Sequence, residues 1–181
     1  MDSQSLRALI RTVPDWPKPG VNFFDICSIV EHPDAFQWTV SELTRFIQSV
    51  QIEAIVSPDA RGFIWGAAVA FAARLPLHLA RKPGKLPGET VSKSYQYEYA
   101  ENSISMQANC NLHGKRVLIV DDVLATGGTA LAIVSLLTSH FQLPAEHVGL
   151  ANVINLAFLG GERRLRNRGI RVHSLLTCPH E

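Results

Sequence analysis

The stretch VLIVDDVLATGGTALAI, residues 117–133, decides how the rest of the chain is read. An apolar run stops at two adjacent acids, Asp121 and Asp122. Two adjacent glycines, Gly127 and Gly128, then stand where a helix begins. Ionised carboxylates are costly in a core, and glycine at a helix start gives up backbone entropy. A bound ligand accounts for both choices. In open α/β sheets, ligands sit beyond the carboxyl ends of the strands, and Asp121 and Asp122 occupy such an end. The following ATGGT, residues 125–129, lets backbone N–H groups crowd around one point at a helix N-terminus. That is a cradle for phosphate, with the Thr126 and Thr129 hydroxyls as added donors. Two carboxylates would repel a phosphate unless they accept hydrogen bonds from vicinal hydroxyls. A ribose 5-phosphate offers phosphate at one end and a diol at the other. The plainer alternative is an acid pair near a helix start with the glycines serving only as a turn. The Walker pattern G-x-x-x-x-G-K-[ST] and the G-x-G-x-x-G fingerprint do not fit.

Working outward, the apolar runs EAIVS, RVLIVD and HVGLANVI suit strands buried on both faces. They alternate with helical patterns at 33–50, 62–73 and about 129–140. Asp34, after Pro33, is the expected cap of the first of these. Residues 3–12 are expected to form an amphipathic helix, and the proline-rich segment 13–26 an extended loop. The strand leading to Asp121 is expected over 116–120, with the two acids opening the loop after it. The order of elements predicts one α/β domain, residues 1–181, with a mainly parallel central sheet flanked by helices.

The basic segment ARKPGKLPGE opens a long connection. A solvated charged loop is its ordinary fate. Tyr95, Tyr97 and Tyr99 alternate with polar residues, and Ile104 and Met106 alternate after the turn-like AENS, as in a hairpin arm. Such a connection is typical of a lid. Arg61, in PDARGF at another strand end, has a guanidinium suited to phosphate. At a helix start its charge opposes the dipole unless an anion lies close.

The 181 residues suit one domain, and a formal net charge of +1 gives no general attraction for nucleic acid or anionic membrane. Cys27, Cys110 and Cys178 show neither disulfide nor metal-ligand spacing, which suits a reducing compartment. The N-terminus is too mixed for a signal peptide, and the uncharged run between Arg61 and Arg74 is too short for a membrane span. A cytoplasmic location is expected.

The 117–133 stretch resembles the phosphoribosyl diphosphate signature of type I phosphoribosyltransferases. PDWPKPGVNFFDI, PDARGFIWG, RKPGKLPGET, SYQYEY and INLAFLGGERRL are similar, in order and spacing, to segments of the adenine phosphoribosyltransferases. The resemblance spans nearly the whole chain. It implies a type I phosphoribosyltransferase fold with a flexible β-hairpin hood over about 82–107. The implied reaction is purine salvage, the transfer of ribose 5-phosphate from phosphoribosyl diphosphate to adenine N9 to give AMP and pyrophosphate. It implies Mg²⁺ held through substrate oxygens and water rather than by a protein cage, and a homodimer, to which Trp16, Trp38 and the tyrosine arm could contribute surface. By the same resemblance, Asp121, Asp122, Ala125, Thr126, Gly127, Gly128 and Thr129 bind ribose 5-phosphate. Asp59, Ala60, Arg61, Lys82 and Lys85 bind pyrophosphate. Asn22, Phe23 and Phe24 lie at the base, with Phe23 packing on the purine. Glu98 handles the adenine proton, and with Lys82 and Arg61 forms the catalytic set. The family usually reads Phe-Arg-Asp where this chain has Phe23-Phe24-Asp25, so Phe24 removes an arginine beside the base. Hypoxanthine as acceptor, or a non-catalytic sensor of purine or phosphoribosyl diphosphate, remain alternatives.

Overall fold

In the computed structural model, residues 1–97 and 100–180 are described, with side chains outside 96–101. A five-stranded, wholly parallel sheet runs through the centre. Its strands are β3 (Ala54–Pro58), β4 (Leu77–Ala80), β7 (Val117–Leu124), β8 (Val148–Leu156) and β9 (Arg171–Cys178), in the order β4-β3-β7-β8-β9. Every residue of β3 is buried, as its unbroken apolar run requires. One face is covered by α3 (Pro33–Ser49) and α4 (Gly62–Ala73), around Leu43, Ile47, Trp65, Val69 and Leu118. The other is covered by α5 (Gly128–Ser139) and the root of a hairpin, β5 (Thr90–Tyr97) with β6 (Ala100–Gln107).

From β3 the chain turns outward through α4 to β4. It returns on the other side of β3 as β7. The strand order therefore reverses between β3 and β7, and a crevice opens there at the carboxyl ends, where α/β sheets hold ligands.

Several local expectations are corrected. The first helix, α1 (Ser3–Leu9), stops short of 12, because Arg11–Val13 form β1, paired antiparallel with β2 (Phe23–Asp25). Residues 23–25 are thus strand rather than loop. Both strands are short and largely outside the core, so no apolar alternation announces them. After β2 the four-residue α2 (Cys27–Val30) leads to α3. Asp34 lies in the first turn of α3. His32 holds the cap position and Pro33 takes the first helical place, where its missing N–H costs nothing. β7 continues to Leu124, so Asp121 and Asp122 lie within the strand rather than beyond it. Pairing with β3 stops at Val56↔Ile119 while pairing with β8 goes on to Leu124↔Asn155. The acids therefore stand where one edge of β7 has become free. Residues 100–103 belong to β6 rather than to a turn. Ile104 and Met106 lie in the core with buried Ser105, and Arg81 pairs with Ser105 through two backbone hydrogen bonds. The base of the hairpin is part of the body.

Candidate active site

The crevice holds a cavity of about 370 Å³, within the range of small-molecule sites. Asp59, Ala60 and Arg61 line it from the end of β3, and Asp121 and Asp122 from β7. Ala125, Thr126, Gly127, Gly128 and Thr129 line it from the turn into α5, and Lys82 from the loop after β4. The structure thus brings together residues that stand far apart in sequence. Gly127 sits at φ +78°, a left-handed value that a Cβ would resist. The turn can therefore fold back and start α5 with its N–H groups facing one point.

Asp122 is 4% exposed, and its Oδ2 lies 2.7 Å from Arg61 Nε. The N–H is not aimed along that line, so Oδ2 remains a buried acceptor without a hydrogen bond among the described residues. Arg61 nevertheless supplies the charge that keeps a buried carboxylate tolerable. The anion that the Arg61 charge needs at the start of α4 is supplied by the Asp122 carboxylate. Asp121 Oδ1 accepts from the Asp122 backbone N–H at 2.9 Å. Gly62 makes room for it: a Cβ there would lie 2.8 Å from Asp121 Oδ1. Burial pushes the Asp121 carboxyl well above its ordinary range, and the neighbouring Asp122 charge adds to the shift. Two carboxyl groups this close, one with a buried oxygen short of donors, offer acceptor oxygens to hydroxyl groups.

Of the two candidate lysines, only Lys82 reaches the cavity. Lys85 is exposed, and its backbone carbonyl accepts from Arg81 Nη1 at 3.0 Å. Arg81 also donates from Nε to Asp59 Oδ2 at 3.3 Å, and so ties the 81–85 loop to the end of β3. Phe23 packs edge-on against Trp16, with ring centroids 4.2 Å apart, and lies 5.2 Å from the Arg61 guanidinium. Phe23 adjoins the cavity through Arg61. Asn22 is exposed, and the half-buried Phe24 packs against the core on the α3/α4 face. Neither lines the cavity. Glu98 and Tyr99 lie outside the described residues.

Sequence reasoning had assigned Tyr95 only to an arm. The structure puts it in the cavity, its hydroxyl 3.0 Å from the Thr129 hydroxyl and its ring against Gly128. Asn102 lines the same wall. The alternation of tyrosines marks the arm, but only folding shows that Tyr95 meets the glycine turn.

Residues 34–156 match the model of the phosphoribosyl transferase domain. The chain is 44% identical over 173 residues to an adenine phosphoribosyltransferase of Mannheimia succiniciproducens, covering 96% of this chain and 94% of that one. The structure is similar to that of the Giardia lamblia enzyme complexed with 9-deazaadenine, with a TM-score of 0.93 at 31% identity, covering 99% of each chain. It is also similar to that of the Saccharomyces cerevisiae adenine phosphoribosyltransferase complexed with adenine and an imino-altritol bisphosphate, with a TM-score of 0.84 at 31% identity over 96% of this chain and 98% of that one. An acid pair on a central strand, a glycine turn into a helix, an arginine at the neighbouring strand end, and relatives matching almost from end to end lead to one conclusion: the chain belongs to the phosphoribosyl transferase domain family, among the adenine phosphoribosyltransferases.

Proposed function

We propose that this chain, as a single phosphoribosyltransferase domain over 1–181, transfers ribose 5-phosphate from phosphoribosyl diphosphate to adenine N9, releasing pyrophosphate and forming AMP. The observation that carries the proposal is the convergence of Asp121, Asp122, Arg61 and the 125–129 turn on one cavity. The turn and the start of α5 hold the 5-phosphate. Asp121 and Asp122 accept hydrogen bonds from the ribose diol. Arg61 leaves Asp122 for the pyrophosphate, where with Lys82 it stabilises the charge that grows as the C1–O bond breaks. Sugar C1 then carries oxocarbenium character, and the adenine nitrogen must already be in line to meet it. Phe23 packs on the purine, and Glu98 takes the adenine proton. The hood over 82–107 closes above the site and keeps water from the cation. Relatives supply matching ligand chemistry, since the Giardia enzyme is complexed with 9-deazaadenine and the yeast enzyme with adenine and a sugar bisphosphate analogue.

Mg²⁺ would be held chiefly through substrate phosphates and water, with a carboxylate at the cavity of the right chemistry to add an oxygen. When bound, Mg²⁺ supplies positive charge to the pyrophosphate. No helix among the described residues is long and apolar enough to cross a membrane. In the proposed reading the enzyme works in the cytoplasm on small molecules. It does so as a homodimer. α4 is apolar all round yet leaves Phe71 88% exposed and Ala67 exposed, a face suited to a second copy. Sedimentation of the wild type and of Phe71→Glu tests this, and a monomeric wild type would refute it.

The deciding experiment offers adenine, hypoxanthine and guanine to the purified chain with phosphoribosyl diphosphate and Mg²⁺. Adenine is expected to give AMP. Turnover of hypoxanthine alone would overturn the specificity, and no turnover with any base would point to a sensor.

A further inference from the structure

The phosphate turn is supported from behind by the start of α6 (Gly161–Arg166). Gly161 lies flush against it. A Cβ at 161 would come within 2.2 Å of the Ala125 carbonyl oxygen, 2.8 Å of Gly127 N and 2.9 Å of Thr126 C. From the other side, a Cβ at Gly127 would meet Gly161 Cα at 3.1 Å. Farther along α6, Arg164 Nη1 donates to the Thr126 carbonyl at 2.8 Å. The helix is itself anchored. Leu165 is fully buried, and Glu162 accepts from the buried Asn155 of β8 on one oxygen and from Arg166 Nε at 2.7 Å on the other.

A turn that offers N–H groups to an anion must keep its carbonyls turned away from it. The peptide unit is planar, with C=O and N–H pointing opposite ways. Holding the Thr126 carbonyl on Arg164 therefore directs the Gly127 N–H away from Arg164. It also ties down the Thr126 carbonyl, which could otherwise rotate in and repel a phosphate. The bond is charge-assisted and hence stronger than an ordinary amide bond. Gly161 sets how closely this support can approach.

We propose that Gly161 and Arg164 are positioning residues for the phosphate turn, setting affinity for ligands that carry a 5-phosphate without touching them. The inference rests on the reading of the turn as a phosphate site. The test compares wild type, Arg164→Ala and Arg164→Lys in the full-length chain. Initial rates are measured with phosphoribosyl diphosphate and adenine varied in turn, and AMP binding is measured separately by calorimetry. Arg164→Ala is expected to raise KM for phosphoribosyl diphosphate and Kd for AMP about 5- to 30-fold, less than the roughly 12- to 160-fold of a fully lost charged hydrogen bond, because Arg164 is exposed and acts on the ligand only through the turn. The adenine KM and kcat should stay within about 3-fold. Arg164→Lys, which can still donate to a carbonyl, should recover most of the loss. Gly161→Ala should weaken AMP more than Arg164→Ala does. An Arg164→Ala chain whose AMP and phosphoribosyl diphosphate affinities stay within twofold of wild type overturns the proposal. So does one in which adenine KM and kcat suffer equally. A wild type that binds AMP but turns over no base would defeat the catalytic reading alone, and the calorimetric comparison would still decide this one.

Discussion

Arg61→Gln tests the link between the two halves of the site. Arg61 Nε lies 2.7 Å from Asp122 Oδ2, with Arg61 37% exposed and the Asp122 side chain 6% exposed. At that distance the attraction is about 1.5 kcal/mol in a water-like medium and about 6 kcal/mol at an effective dielectric of about 20. Ordering the side chain and stripping water from it take back much of this. Losing one partner of a fully buried pair costs about 3–5 kcal/mol, and the exposure of Arg61 lowers that to about 1–3 kcal/mol. Glutamine keeps most of the bulk but leaves Asp122 uncompensated beside Asp121. For a domain of this size, 1 kcal/mol moves the unfolding temperature by about 2–4 °C, so a fall of about 2–12 °C is expected by calorimetry without ligand. The catalytic loss should be larger, because in the proposed mechanism the same guanidinium meets the leaving pyrophosphate. Removal of one such preorganised donor costs about 10²–10³ in kcat. Arg61→Lys should fall between the two, keeping the charge and losing the fork. A glutamine variant that unfolds at the wild-type temperature and turns over within threefold of wild type would refute both the ion pair as a stabilising contact and Arg61 as a pyrophosphate ligand.

Further consequences concern Asp121, Gly66 and Tyr95. The folded-state value of Asp121 is raised above the unfolded 3.8, so its contribution to stability is fully present below about pH 3.8 and is lost as pH rises through the folded value. Asp121→Asn should therefore be more stable than wild type at pH 7, with the difference shrinking on acidification, while KM for phosphoribosyl diphosphate rises at least tenfold. Denaturant melts across that range together with initial rates check both, and a variant less stable at pH 7 would contradict the burial cause. A Cβ at Gly66 would lie 2.4 Å from Ser57 Oγ, which donates to the Val120 carbonyl at 2.7 Å. Overpacking there costs about 1–3 kcal/mol, of which alanine's helix propensity returns about 1 kcal/mol. Gly66→Ala should thus lower the urea midpoint, since Ser57 Cβ would also lie 2.5 Å away and turning the hydroxyl cannot relieve that contact; an unchanged midpoint would contradict the close packing of α4 on β3. Tyr95→Phe removes the 3.0 Å hydroxyl contact to Thr129, worth about 0.5–1.5 kcal/mol. The hairpin should then open more often, and amides of 90–95 and 102–107 should exchange about 2- to 10-fold faster. Unchanged exchange would mean that the contact does not latch the arm.

Much of the site was legible because its chemistry is local. Asp121, Asp122 and the Thr-Gly-Gly-Thr turn are neighbours in sequence, and a turn's backbone demands are written in the residues that form it. The buried strands were legible as apolar runs. Short exposed strands were not, since Arg11–Val13 and Phe23–Asp25 are held by each other and by Arg11's ion pairs to Asp25 and Glu31 rather than by apolar period. Lys82 and Lys85 looked equivalent, and only the path of the loop past Arg81 separates them.

The sequence by itself determined the alternation of strand and helix, the acid pair at a strand end, the glycine turn and the tyrosine arm. Each follows from periodicity, backbone sterics or residue type over a few neighbouring positions. Tertiary structure alone decided that β7 outruns its pairing with β3 and exposes both acids to a crevice. It also decided that Arg61 meets Asp122, that Tyr95 meets Thr129, and that Gly161 and Arg164 sit behind Thr126. These contacts join residues separated by long stretches of chain. Their energies act only once burial has closed the loops between them, so no local pattern needs to encode them.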